Sequence, residues 1–248
     1  MNTSRRLKSC ARWESLVLKN KPLLAIIPAR GGSKGLPGKN IRLINGQPLI
    51  SLTVKSALAC DYVDRVMVTT DDEEIAYAAR EAGAEIPFMR PAELASDTAL
   101  ASDVILHCLN YFAEQGEAYE YFVYLQPTSP LRSKEDLDSG LNFFEEKDAS
   151  CVVSVCETEH HPWYSNQLPE DGNMKDFIRP EVQNTNRQEL PAFYRLNGSM
   201  YICQTGYYRT QGGFMGPETY AFRMPTERSL DIDTLTDFKM AELLLSEK

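Results

Sequence analysis

The chain has 248 residues, 43% of them hydrophobic and 25% charged, enough apolar material to fill one sizeable core and too much for a disordered tail. A formal charge of −9 excludes broad binding to nucleic acid or to an anionic membrane, which depends on many Lys and Arg contacts to phosphate, so any anion bound here must be gripped locally. No apolar run approaches the roughly 20 residues that span a bilayer, and the expectation is a soluble chain.

Residues 1–21 carry Arg5, Arg6, Lys8, Arg12, Lys19 and Lys21 without the apolar stretch and small-residue cleavage site of a secretory signal, and read as a ragged N-terminal extension ahead of a domain spanning 22–248. The first apolar run, 23–27, ends in "PARGGSKGLPGKN". A helical pattern follows Pro48 over 49–59, then a second apolar run over 63–69 ends in "TTDD". Ile75, Ala78, Ala79 and Ala82 mark one face of a helix over 73–82, with Asp71 or Asp72 as its N-cap; Ile105, Leu109 and Phe112 mark another over 103–112, with Ser102 as its cap. A third apolar run, 121–125, leads into "QPTSPLR", and "SCVVSVCE" forms a further strand-like segment.

Residues 157–191 lose this periodicity and become polar, rich in Pro, Asn and aromatics, which suits a lid or an interaction arm more than a connecting loop. Regularity returns with "SMYICQ" and "YAFRMP", and Phe238, Ala241 and Leu245 mark a final helix over 235–245. Alternating strands and helices with short turns imply a mostly parallel sheet with helices on both faces, whose ligands bind beyond the carboxyl ends of the strands. The six cysteines include no CxxC pair and read as buried thiols of a reducing compartment. His107, His160 and His161 lack the spacing of a zinc site.

The loop after the first strand combines glycines with Arg30, Lys34 and Lys39, which lets backbone N–H groups and positive charge meet a polyphosphate. It is neither a Walker loop, which would need glycine at Ser33 and Ser or Thr at Asn40, nor a GxGxxG fingerprint. A solvated surface turn is the plainer alternative. In "SLDIDT", Asp231 and Asp233 point to one side of an extended chain and can share a cation; magnesium suits one or two carboxylates plus substrate phosphates. Asp237 reads as a cap or first-turn acid of the last helix. Loop and carboxylate pair together suggest phosphoryl or nucleotidyl transfer.

Six collinear segments, "IIPARGGSKGLPGKN", "TTDDEEIAYAAREAGAEIPFMRPAELASDTA", "LQPTSPLR", "VSVCETEHHP", "RQELPAFYRLNGSMYI" and "SLDIDT", resemble the acylneuraminate cytidylyltransferases, or CMP-sialic acid synthetases. The resemblance implies an α/β, Rossmann-like nucleotidyltransferase fold, with 157–191 as a dimerisation and sugar-site arm, in a homodimer; the free thiols and soluble substrates add the expectation of a cytoplasmic protein. It implies transfer from CTP to a nine-carbon 2-keto sugar acid, with Mg2+ and release of pyrophosphate. Arg30, Ser33, Lys34, Lys39, Asn40 and Arg90 fall on nucleotide-binding positions, with Arg30, Lys39 and Asp233 expected to serve catalysis. Gln126 and Arg187 fall on sugar-binding positions, Arg187 facing the sugar carboxylate, and Asp231 and Asp233 on the metal pair. The general base stays open between Asp233 and a hydroxide on the metal.

Two departures bear on the acceptor. Tyr164 stands near the place of a lysine found after "HHP" in some sialic acid enzymes, and "GGFMGPE" leaves Phe214 and Met215 to line the N-acyl pocket. Legionaminic and pseudaminic acids therefore stand beside sialic acid as candidate substrates. A CMP-KDO synthetase and a non-catalytic nucleotide-sugar binder are the alternative readings; "GGSKGLPGKN" and "RPAELASDT" favour the nine-carbon branch, and the intact aspartates and loop lysines favour an enzyme.

Overall fold

The computed structural model describes residues 18–32, 35–183 and 185–247, apart from the side chains of Asn20, Glu181 and Arg187. Ser33, Lys34 and Cys10 lie outside the described residues. The apolar runs become strands β1 (Leu23–Pro28), β4 (Arg65–Thr69) and β5 (Tyr121–Tyr124), and a two-residue hairpin, β2 (Leu43–Ile44) and β3 (Gln47–Pro48), lies between β1 and β4. With β6 (Cys151–Glu157), β7 (Tyr194–Gln204) and β8 (Thr219–Arg223), β1, β4 and β5 make a six-stranded sheet in the order β4-β1-β5-β7-β6-β8.

β1 pairs in parallel with β4 and β5, and β6 with β8, whereas β7 runs antiparallel to both β5 and β6. The exception has a topological cause: no α-helix among the described residues separates β6 from β7. The chain leaves β6, runs through residues 158–193 in 3-10 turns without strand or α-helix among the described residues, and returns beside it.

Alternation along the strands sorts the core into two layers. Leu23, Ala25, Ile27, Val66, Val68 and Val123 face α1 (Leu49–Ala59), α2 (Glu73–Glu81) and α4 (Lys134–Glu146). Leu24, Ile26, Met67, Phe122 and Cys203 face α3 (Ala101–Glu114) and α5 (Thr205–Gln211). Full burial of a side chain such as Phe122 contributes about 1.5–3 kcal/mol. A third cluster seats Phe238 and Ala241 of α6 (Leu235–Ser246) on Ile44 and Leu49.

Asp72 caps α2, accepting from the N–H groups of Glu74 and Ile75. The expected Ser102 cap of α3 does not form. That helix starts at Ala101, no side chain caps it, and the Leu100 carbonyl accepts from Asp103 and Val104 instead. α4 is a helix that the sequence reading passes over; it opens on a reciprocal Ser133–Asp136 capping box. Cys60, Cys108, Cys151, Cys156 and Cys203 are free and buried.

Candidate active site

The order of strands reverses around β1, with β4 on one side and β5 on the other, and the crevice at such a reversal is where open α/β sheets bind ligands. A cleft of about 470 Å³ occupies that place. Arg30, Lys39, Asn40, Arg90, Gln126, Asp231 and Asp233 all line it, so seven of the residues singled out in the sequence converge from four separate segments.

The basic loop is held by backbone proximity. Gly31 donates its N–H to Asp71 Oδ1 at 3.1 Å, and a methyl group on it would come within 2.7 Å of Asp72 Oδ2. At Gly35 the obstacle is backbone: an added Cβ would stand 2.6 Å from the Asp233 carbonyl oxygen. Gly38 has φ +64° and turns the chain into the 3-10 helix Lys39–Ile41. These glycines therefore serve close packing of the loop onto α2 and onto the aspartate segment.

Lys39 Nζ donates to the Ile232 carbonyl at 2.8 Å and lies 3.5 Å from Asp233 Oδ1. Arg30 Nη1 is 3.0 Å from Asp97 Oδ1 and donates to Ser96 O at 3.2 Å. Asn40 is buried and donates to Arg30 O at 3.3 Å, while its Oδ1 has no partner among the described residues. Arg90 is buried at the end of β4, where its Nε donates to Thr69 Oγ1 at 3.1 Å and Nη2 to Thr69 O. No carboxylate among the described residues lies within ion-pair distance of it, and burial pushes its pKa down. A buried guanidinium at the cleft wall, with only the more distant charge of Asp71 opposing its desolvation among carboxylates, favours an anionic or electron-rich ligand.

Opposite lies the carboxylate pair. Burial, reinforced by Asp233, raises Asp231 above the usual carboxylate range, and a hydrogen bond from Thr128 and the charge of Lys39 oppose the shift only in part. Asp231 Oδ1 is buried without a partner among the described residues. Two carboxylates, one of them desolvated and with an unsatisfied oxygen, form a donor set that fits a hard divalent cation. Asp237 is absorbed elsewhere: with Thr234 it makes the reciprocal capping box of α6.

Other expected residues lie elsewhere. Phe214 does not line the cleft but stacks behind it, with ring centroids 4.7 Å from Tyr201 and 4.8 Å from Tyr208; after the left-handed turn at Gly212 the aromatic cluster offers this ring a dry surface. Met215 is exposed and also outside the lining. Arg187 opens the 3-10 turn Arg187–Glu189, and its side chain is outside the described set. His161 is buried and caps the turn Pro162–Tyr164 through Nδ1, at 4.7 Å from the Phe193 ring; His107 packs edge-on against Phe88. Tyr124, Asp97 and Thr128, which the sequence did not single out, complete the cleft; Asp97 and Thr128 sit inside the quoted segments "RPAELASDTA" and "LQPTSPLR".

A family model described as cytidylyltransferase matches residues 24–247. An N-acylneuraminate cytidylyltransferase of Streptococcus agalactiae serotype V is 35% identical over 88% of the chain and 52% of its own length. This chain thus spans about half the length of such relatives. A CMP-N,N'-diacetyllegionaminic acid synthase of Legionella pneumophila is 33% identical over 90% of the chain and 96% of its own length. Among solved structures, a CMP:2-keto-3-deoxy-manno-octonic acid synthetase in complex with CTP covers 91% of the chain and 99% of its own at a TM-score of 0.67, with 18% identity, which makes it a likeness of fold. On the extent of these matches, the chain belongs to the cytidylyltransferase family.

Proposed function

We propose that the protein transfers the cytidylyl group of CTP to a nine-carbon 2-keto sugar acid, sialic acid or a legionaminic or pseudaminic relative, releasing pyrophosphate. The observation that carries this is the convergence of Arg30, Lys39 and Arg90 with the Asp231–Asp233 pair in one cleft at the strand ends. The anomeric hydroxyl oxygen attacks the α-phosphorus, the bond to the bridging oxygen of the β-phosphate breaks, and pyrophosphate leaves with that electron pair. Lys39, tethered to Ile232 O, offers fixed positive charge where the negative charge develops. Arg30, Asn40 and Arg90 are assigned to the nucleotide, together with Ser33 and Lys34 of the same loop. Gln126 is assigned to acceptor hydroxyls and Arg187 to its carboxylate.

A divalent cation, Mg2+ in this proposal, held between Asp231 and Asp233 would neutralise charge on the triphosphate. Among the described residues no group of three His, Cys, Asp or Glu side chains could hold a metal by itself, which agrees with a cation completed by substrate oxygens. Asp233, largely exposed beside Lys39, is the proposed proton acceptor. Residues 157–191 are proposed to reach a second copy of the chain, a homodimer that light scattering would register. Five buried free thiols and the absence, among the described residues, of a helix long and apolar enough to cross a membrane support placing the reaction in the cytoplasm.

The test is pyrophosphate release by purified protein with Mg2+ and CTP or UTP, offered sialic, legionaminic and pseudaminic acids and KDO in parallel. Release with CTP and a nine-carbon acid, and none with UTP, is expected. Silence with all four acids would overturn the assignment, and release with KDO alone would move the acceptor to eight carbons.

A further inference from the structure

Behind Gln126 the pairing of β6 with β7 is interrupted. Val153 faces Tyr201 but Val155 faces Leu196, so Ser154 alone spans a gap opposite residues 197–200. Its hydroxyl repairs the ladder, lying 2.6 Å from Asn197 Oδ1 and accepting from Met200 N–H at 2.8 Å. The surplus residues bulge toward the turn that follows β5, a device that re-aims side chains next to functional sites. Ser129 Oγ donates to Asn197 O at 3.2 Å. Gly198 has φ +69°, and a methyl group there would collide with Gln126 Oε1, so the glutamine carboxamide occupies the room a side chain would take.

Arg132 joins the two segments. It is 4% exposed, its Nη1 donates to Ser199 O at 2.6 Å, and the same nitrogen lies 3.4 Å from Gln126 O. Its Nε and Nη2 have no partner among the described residues. Asp136, nearby, is committed to Arg228 through two donors. Burial pushes the Arg132 pKa down to about 9. For stability alone, an apolar side chain of similar volume would serve this place as well or better. What the guanidinium supplies is a rigid tie between the Gln126 main chain and the bulge that seats the Gln126 side chain.

We propose that Arg132, acting with the Gly198 bulge, is the positioning residue for Gln126 and thereby governs binding and orientation of the acceptor sugar, leaving the nucleotide unaffected. This rests on the transferase reading above, in which Gln126 meets acceptor hydroxyls. The experiment compares wild type, Arg132→Met and Arg132→Lys by steady-state pyrophosphate release with CTP and acceptor varied in turn, by thermal unfolding, and by crystallography. Arg132→Met is expected to keep its thermal midpoint within about 4 °C and its KM for CTP within about twofold, while kcat/KM for the acceptor falls about tenfold or more. Arg132→Lys, which keeps one donor for Ser199 O, is expected to recover part of the loss. Unchanged acceptor kinetics, or equal losses toward CTP and acceptor accompanied by a large fall in the midpoint, would overturn the proposal. A wild type silent with every acid defeats the transferase reading instead, and the crystal structures then decide this one: a Gln126 carboxamide displaced from Gly198 in Arg132→Met supports it, and an unmoved one refutes it. Should Arg132→Met fail to fold, Arg132→Lys carries the same two readouts.

Discussion

Replacing Gly35 with alanine tests whether the basic loop works through its contact with the aspartate segment. The new Cβ would lie 2.6 Å from the Asp233 carbonyl oxygen, and ordinary contact begins at 3.4 Å, so the two backbones must part by about 0.8 Å. Neither side can rotate away, because the obstacle is main chain. Taken along the Lys39 Nζ to Ile232 O contact, now 2.8 Å, that displacement exceeds hydrogen-bond range. A charge-assisted hydrogen bond contributes about 1.5–3 kcal/mol, and a misplacement near 1 Å can cost on the order of 100-fold in rate. We expect kcat/KM for CTP to fall about 30- to 100-fold, with less than about 1.5 kcal/mol lost in urea unfolding. Gly206→Ala is the control, since a Cβ there meets nothing within 4 Å; it should leave turnover intact and stability level or slightly higher. Turnover within threefold of wild type in Gly35→Ala would refute the reasoning.

Asp231→Asn is expected to lower pyrophosphate release by at least about 100-fold; Mg2+ is expected to raise the thermal midpoint of the wild type and not that of the variant, and a cation-dependent rise that survives in the variant would count against the carboxylate pair. Arg90→Met should raise the KM for CTP about tenfold or more, because a desolvated guanidinium disappears from the cleft wall, and isothermal titration with CTP reads it directly. Arg228→Ala strands the buried Asp136 carboxylate and should cost about 2–3 kcal/mol in urea unfolding, reduced from the fully buried case because Arg228 is 38% exposed. Burial alone would raise the Asp136 pKa, but the Arg228 and Ser133 contacts outweigh it and hold it below the ordinary 3.8. The pair's contribution is therefore full above that value and is lost as pH falls through the lower folded-state value, so the variant's stability should decline less steeply on the acid side.

Local features were the most legible. Apolar runs announced β1, β4 and β5 because strands covered on both faces need no polar alternation. That seven of the singled-out residues share one cleft was legible because their types are chemically loud: glycines with lysines, and paired aspartates. What stayed hidden depends on distant partners. The reversed direction of β7 is settled by where the chain re-enters after residues 158–193, and the Ser154 repair of its bulge needs a residue more than forty positions away. The packing of Phe214 against Tyr201 and Tyr208 likewise depends on residues distant from its own motif. α4 was readable, since Ser133 and Asp136 spell a capping box and Leu137, Leu141 and Phe144 share one face, but it follows a functional motif that draws the eye to loops. At α3 a suitable cap residue, Ser102, misleads because the helix begins one residue before it.

The contact between Lys39 and the Ile232 carbonyl joins positions 193 residues apart. At a synthesis rate of roughly 5–20 residues per second, the aspartate segment follows the basic loop out of the ribosome by about 10–40 s. During that interval the nascent chain holds the loop and the strands that flank it without the carboxylates that complete the cleft. Long-range closure of this kind slows folding, and here it also ties the appearance of the site to the near-completion of the sheet. Products of premature termination before residue 231 would therefore lack both carboxylates of the proposed cation site as well as the lysine's anchor, and under the proposed function they would not turn over.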